Sequence, residues 1–181
     1  DVYKRQIDAF PQFVRFPNTL EEVAALESIE ECWFARHLLA CFYYNKRSYN
    51  KAIAFWQRCV EMSPEFADGW RGLAIHAWNK QHDDELAARY LDNAYQLAPQ
   101  DARLLFERDL LDKLSGATPE KRLARLENNL EIALKRDDMT AELLNLWHLT
   151  GQADKAADIL ATRKFHPWEG GEGKVTSQFI L

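Results

Sequence analysis

Near the C-terminus, His166, Glu169 and Glu172 fall within seven positions of one another, beside Trp168. A pair of carboxylates with an imidazole close by can protonate a leaving group or activate a water. The same stretch, Phe165 to Val175, carries Gly170, Gly171 and Gly173, so it reads first as a turn-rich loop able to wrap closely around something. Solvated loop charges that cap the chain or dock on another surface explain these residues more simply than catalysis, and no catalytic residue is assigned. Lys174 closes the segment, and His166, Trp168, Glu169, Glu172 and Lys174 are carried forward as loop contacts.

Two other constellations suggest chemistry and fail on spacing. Cys32, His37 and Cys41 lie close in sequence, with His37 and Cys41 at the i, i+4 spacing of one helical face. Zinc ordinarily takes four ligands, and no second Cys/His cluster stands nearby. Gly173-Lys174 is followed by Val175 where a phosphate loop needs Ser or Thr, and Trp168 occupies the place of its first glycine. No nucleophile elbow is present. The chain is expected to carry no metal, no cofactor and no catalytic centre.

What must position these residues is helical. The 181 residues include 23 Leu and 23 Ala but only five Val, which disfavours an all-β fold. Hydrophobic residues make up 47%, too many for wholesale disorder. The formal net charge of −5 excludes a general nucleic-acid binder, which needs a basic surface. No apolar run approaches the ~20 residues of a membrane span. Three cysteines are too few and odd in number for a disulfide scaffold, consistent with a cytoplasmic protein.

Residues 1–6, Asp-Val-Tyr-Lys-Arg-Gln, match a translated transposon-end adaptor of the kind ligated to sequencing fragments, and no initiator methionine precedes them. The expectation is a bacterial gene fragment from environmental DNA, with upstream protein missing. Residues 7–29 form a lead-in with a short helix, 30–163 an array, and 164–181 a Gly-rich loop followed by the start of a further helix.

The array shows in its spacing. Twelve residues before Pro64 and Pro99 stand Ala52 and Ala87; five before stand Cys59 and Ala94; eight before stand Trp56 and Leu91. Upstream, Leu39-Ala40 and Leu73-Ala74 hold equivalent places in the preceding helix, and Trp70 stands three residues before Leu73. Small side chains let neighbouring helices approach while large ones fill the adjoining space. The expected helices are 30–45, 49–62, 67–79, 84–97, 102–115, 119–135, 139–149 and 152–163. Leu104, Leu105, Leu110, Leu111 and Leu114 form the apolar cluster of the fifth. Ser28 and Glu31 have capping-box spacing before the first. The second unit is one residue longer, and the surplus is expected in the polar stretch 80–84. Arg122 stands where the other units carry a small residue.

At nearly every key position, 33–99 resembles the tetratricopeptide repeat. That implies an all-α fold, an α–α superhelix of about four tetratricopeptide-like hairpins, cut at both ends. It also implies a concave groove lined by each unit's first helix. By this register the lining includes Phe34, His37, Leu38, Cys41, Tyr44 and Asn45. The second unit supplies Asp68, Arg71, Gly72, Ile75, Trp78 and Asn79, and the third Arg103, Phe106, Glu107 and Lys113. Chaperone-tail-binding relatives hold a terminal carboxylate with lysines and asparagines. Here those places carry His37, Cys41, Gly72 and Arg103, which argues against that ligand.

Four segments point to a narrower kinship: Phe165 to Val175, Arg136-Asp137-Asp138, Pro119-Glu120-Lys121-Arg122-Leu123 and Trp78-Asn79-Lys80. Over roughly 33–181 the chain resembles a bacterial family that pairs a domain of unknown function, numbered 5107, with C-terminal tetratricopeptide repeats. The resemblance implies an upstream β-rich domain similar to sugar-binding mutarotase-like sandwiches, and a carbohydrate context. The expected function is a non-catalytic helical-repeat module mediating protein–protein or interdomain contacts through the groove. Its partner would be a protein or peptide segment, or the missing upstream domain, with carbohydrate possible and neither nucleic acid nor membrane involved. The alternative is the C-terminal part of a carbohydrate-active or sugar-binding enzyme whose catalytic β-domain lies upstream.

Overall fold

The computed structural model describes residues 16–29, 31–166 and 173–178. Eleven α-helices and no strand occur among them. They are α1 Leu20–Glu27, α2 Trp33–Asn45, α3 Tyr49–Met62, α4 Ala67–His76, α5 Asp84–Leu97, α6 Ala102–Leu114, α7 Pro119–Glu127, α8 Leu130–Ala133, α9 Asp137–Leu149, α10 Ala153–Thr162 and α11 Lys174–Gln178. A π-helical stretch, Ala77–Gln81, continues α4. No helix among these residues is long and apolar enough to cross a membrane.

Successive helices pair as hairpins: α2 with α3, α4 with α5, α6 with α7 and α8, and α9 with α10. Each hairpin also leans on the next through its first helix, as α4 does on α3 and α6 on α5. Small residues make this approach possible: Ala52, Cys59, Ala87, Ala94 and Ala156 are all fully buried. Ala40 and Ala52 share a core with Trp56 and Leu73, and Ala74, Ala77 and Ala87 share the next with Leu91 and Leu111. Pro64 and Pro99 follow the ends of α3 and α5, where a ring lacking an N–H cannot continue the ladder.

The first helix of every hairpin ends in one residue of left-handed backbone. Arg47, His82, Gly116 and Gly151 have φ of 59°, 55°, 80° and 74°. In three of the four turns the following N–H reaches back five residues, from Ser48 to Tyr43, Ala117 to Asp112 and Gln152 to Trp147. In the second, Asp83 N–H reaches back six, to Ala77. The surplus residue of the second unit is thus absorbed inside the helix as a π turn, one turn earlier than the expected loop. The insertion leaves the left-handed cap and the start of α5 undisturbed.

Three local expectations are corrected. Ser28 does not start a helix: its backbone is helical (φ −71°, ψ −14°) and closes α1, with its hydroxyl donating to Ala25 O. An N-cap needs extended backbone, and Thr19 supplies it for α1 in a full capping box with Glu22. The expected helix 119–135 breaks at Asn128–Asn129, dividing α7 from α8. Asn129 Nδ2 donates to Arg125 O, and its Oδ1 accepts from Tyr95 Oη, so the side chain competes with the backbone ladder. Gly72, placed by the register on the groove, is buried beneath Trp56, whose indole occupies the space that a Cβ would need.

Candidate functional site

The first helices of the hairpins, α2, α4, α6 and α9, carry most of the residues singled out by sequence. Between α4 and α6, the Arg71 guanidinium meets Glu107 in a two-pronged pair, with Nε donating to Oε2 at 2.7 Å and Nη2 to Oε1 at 2.5 Å. Arg103 reaches back from α6 to Asp68 Oδ1 at 2.7 Å and also holds Asp101 Oδ2 at 3.0 Å. Asp101 in turn caps α6 through the Arg103 N–H.

The ladder continues toward α9. Lys113 donates to both Glu142 oxygens at 2.9 Å, and Arg122 Nη2 donates to Glu142 Oε1 at 2.7 Å. Burial alone would raise Glu142, but the hydrogen bonds from Lys113 and Arg122 hold its carboxyl below the ordinary range. Arg136 lies over the Phe106 ring at 5.3 Å and pairs with Asp138. The charges on this face are therefore largely spent on one another, stitching one first helix to the next.

The α2 end is aromatic. The His37 ring stacks on Phe34 and meets Phe66 edge-on, with centroids 6.2 and 5.0 Å apart. Burial pushes its pKa down to about 4, Arg71 and Arg103 assisting and Asp68 opposing, so the ring is neutral at pH 7. Its Nε2 lies 3.6 Å from Cys41 Sγ. Burial, with Asp68 nearby, lifts the Cys41 thiol to about 11, and burial lifts Cys59 to about 12, so neither is a ready nucleophile. Tyr44 packs against Trp56 and Tyr49 at 5.3 and 5.1 Å. Cys32, Cys41 and Cys59 are free thiols. Among the described residues no three His, Cys, Asp or Glu side chains are grouped to hold a metal.

Trp78 lies in the π turn and packs half-buried against the core cluster that Ala74, Ala77, Ala87, Leu91 and Leu111 form, whereas Asn45 and Asn79 are exposed. His166 stands apart at the start of α9: its backbone N–H and Nδ1 both contact Asp137 Oδ2, at 2.9 and 3.1 Å, and Arg163 holds Asp137 Oδ1. Lys174 is exposed at the first position of α11. Trp168, Glu169 and Glu172 lie outside the described residues.

Sequence reasoning misses three side chains. Leu110 and Leu114 are grouped there only as members of the fifth helix's apolar cluster and Leu149 is not singled out; they are 39%, 59% and 61% exposed. A signal exists. Leu114 and Leu149 each stand two residues before the left-handed glycine of their turn, the position that Asn45 holds before Arg47.

No protein-family model matches the chain. Solved structures do. YrrB, a tetratricopeptide-repeat protein with an unusual peptide-binding site, superposes with a TM-score of 0.63 at 16% identity, over 86% of this chain and 73% of YrrB. MamA gives 0.61 at 15% identity, over 87% and 84%. TTC0263, a tetratricopeptide-repeat protein of Thermus thermophilus, gives 0.56 at 20% identity, over 87% of each chain. The fold is an all-α superhelix of tetratricopeptide-like hairpins.

Proposed function

We propose that this chain is a non-catalytic recognition module that holds a protein or peptide segment along the faces of α2, α4, α6 and α9. One observation carries the reading: Leu110, Leu114 and Leu149 are exposed on the same helices whose charges are already paired. Exposed apolar surface bordered by polar groups is what a docking face presents. Phe34, His37, Cys41, Tyr44 and Asn45 would contact one end of the segment, and Asp68, Arg71, Trp78 and Asn79 its middle. Arg103, Phe106 and Glu107 would border the leucines. The His166 region would add a second contact from the tail. The peptide-binding site described for YrrB, similar in fold, supports this reading.

Because Arg71, Arg103 and Lys113 are matched by Glu107, Asp68 and Glu142, the favoured segment has little net charge and anchors through aliphatic or aromatic side chains. Display of a random peptide library against the chain tests this. Selected peptides should be apolar and near neutral, and their affinity should fall at least tenfold, about 1.4 kcal/mol, when Leu114→Asp and Leu149→Asp are combined. Selection of strongly acidic or basic peptides indifferent to that pair would overturn it.

A further inference from the structure

We infer that the first two hairpins hold a buried water molecule among Tyr44 of α2, Trp56 of α3 and His76 of α4. Each of these rings carries a polar atom that is shielded from solvent and has no hydrogen-bond partner in the protein: Tyr44 Oη, Trp56 Nε1 and His76 Nδ1. Trp56 and His76 are only 4% and 7% exposed. Buried polar groups in folded proteins are hydrogen-bonded with few exceptions. Where neither backbone nor side chain supplies the partner, water does.

The three rings are neighbours. The centre of Tyr44 lies 5.3 Å from that of Trp56 and 6.4 Å from that of His76. Tyr49 joins them at 5.1 Å from Tyr44 and 6.4 Å from His76, and the Lys80 ammonium sits 4.5 Å from the centre of its ring. Gly72 lets the indole come down on α4: a Cβ there would lie 2.5 Å from Trp56 Nε1. His76 stands four residues after Gly72, one turn along the same face of α4. Ring centres about 4.5–7 Å apart are in packing contact, so the space among them suits a single small molecule and no organic ligand.

The chemistry of the three atoms matches water. An indole N–H only donates, a phenol hydroxyl donates or accepts, and a neutral imidazole with its proton on Nε2 accepts at Nδ1. Water can accept from Trp56, donate to His76 and meet Tyr44 in either sense. Burial, with Lys80 nearby, lowers the His76 pKa and favours the neutral ring that this requires. In the next hairpin the place of Trp56 is taken by Leu91, which carries no polar atom to satisfy. A water at this point ties α2, α3 and α4 together and fixes the ring of Tyr44, a residue of the recognition face. The assignment stands whether or not that face binds a peptide.

A high-resolution crystal structure of the 181-residue chain tests the assignment. Ordered solvent density is expected within hydrogen-bond distance of Trp56 Nε1 and of Tyr44 Oη or His76 Nδ1. Absence of density there, or an indole N–H that meets only the face of the Tyr44 ring, would overturn it. Tyr44→Phe gives a second reading whose sign discriminates. Deleting a hydroxyl bonded to water should lower the melting temperature by about 2–4 °C, whereas deleting an unpartnered buried hydroxyl should leave it unchanged or raise it. An unchanged or raised melting temperature would count against the water.

Discussion

Arg122 of α7 clasps Asp109 of α6 in a buried two-pronged ion pair, Nη2 to Oδ2 at 2.6 Å and Nε to Oδ1 at 3.1 Å. The other hairpins put a small side chain in place of the arginine. Ala52, Ala87 and Ala156 each stand five residues after the left-handed residue of their turn, and Arg122 stands six after Gly116. The third hairpin has exchanged small-residue packing for a charge pair whose second anchor, Glu142, belongs to the next unit. Burial raises the Asp109 carboxyl, with the Arg122 hydrogen bonds opposing. A buried pair of this kind costs heavily when only one partner is removed.

Arg122→Ala should accordingly destabilise the fold by roughly 3–5 kcal/mol, because Asp109 is left charged and buried. Adding Asp109→Ala should recover much of the loss, since Glu142 keeps Lys113 and the site then resembles its neighbours. Urea unfolding of the parent, single and double variants checks this. A double variant as unstable as the single one would show that the charges are not what fixes the site.

His37 gives the fold an acid-sensitive step. Its pKa is lowered from 6.5 to about 4 by burial, with Asp68, Arg71, Arg103 and Cys41 facing it. Between those values the unfolded chain binds a proton that the folded chain refuses, so stability falls as pH drops from 6.5 and the loss ends near 4. The full effect is at most about 3 kcal/mol. Denaturation midpoints across this window should decline in the parent and decline less steeply in His37→Phe, in which His76, also lowered by burial, remains. Equal slopes in both would remove His37 as the cause.

Left-handed backbone suits glycine, and two of the four turns lack it. His82→Gly and Arg47→Gly should each stabilise the chain by about 0.5–1 kcal/mol, and Gly151→Ala should cost about 1 kcal/mol or more. Nothing lies within 4 Å of a Cβ built on Gly151, so that loss is conformational rather than steric. Thermal melts read all three.

Gly72 tests the packing of the first two units. An added Cβ runs into the Trp56 indole, so Gly72→Ala should destabilise by about 1–3 kcal/mol. Trp56 can move aside only by disturbing Tyr44, against which it packs. An unchanged melting temperature would mean that the two helices are further apart than described.

The repeat frame was legible because it is written in small and large residues at fixed spacing. α3 and α5 span Tyr49–Met62 and Asp84–Leu97, the ranges the proline-anchored register predicts. What could not be read is what depends on competition or on distance in sequence. Asn129 breaks a helix by donating its side-chain amide to the Arg125 carbonyl, and Tyr95, 34 residues earlier, holds that side chain in place. The surplus residue of the second unit chose a π turn over a longer loop. On the candidate face, Arg71 and Arg103 looked available for a ligand, yet each closes on a carboxylate about one repeat away. Gly72 looked like groove and is floor beneath a tryptophan, while Leu114, one of an apolar cluster in the sequence, faces solvent.

The most direct test of the recognition face is amide chemical-shift mapping of the labelled chain with a peptide chosen by display. The largest shifts should fall in α4, α6 and α9 around Trp78, Leu110, Leu114 and Leu149, with little change on the solvent side of α3, α5 and α10. Raising the salt concentration should leave the affinity nearly unchanged. Shifts centred on α3, α5 or α10, or binding that collapses with salt, would contradict it.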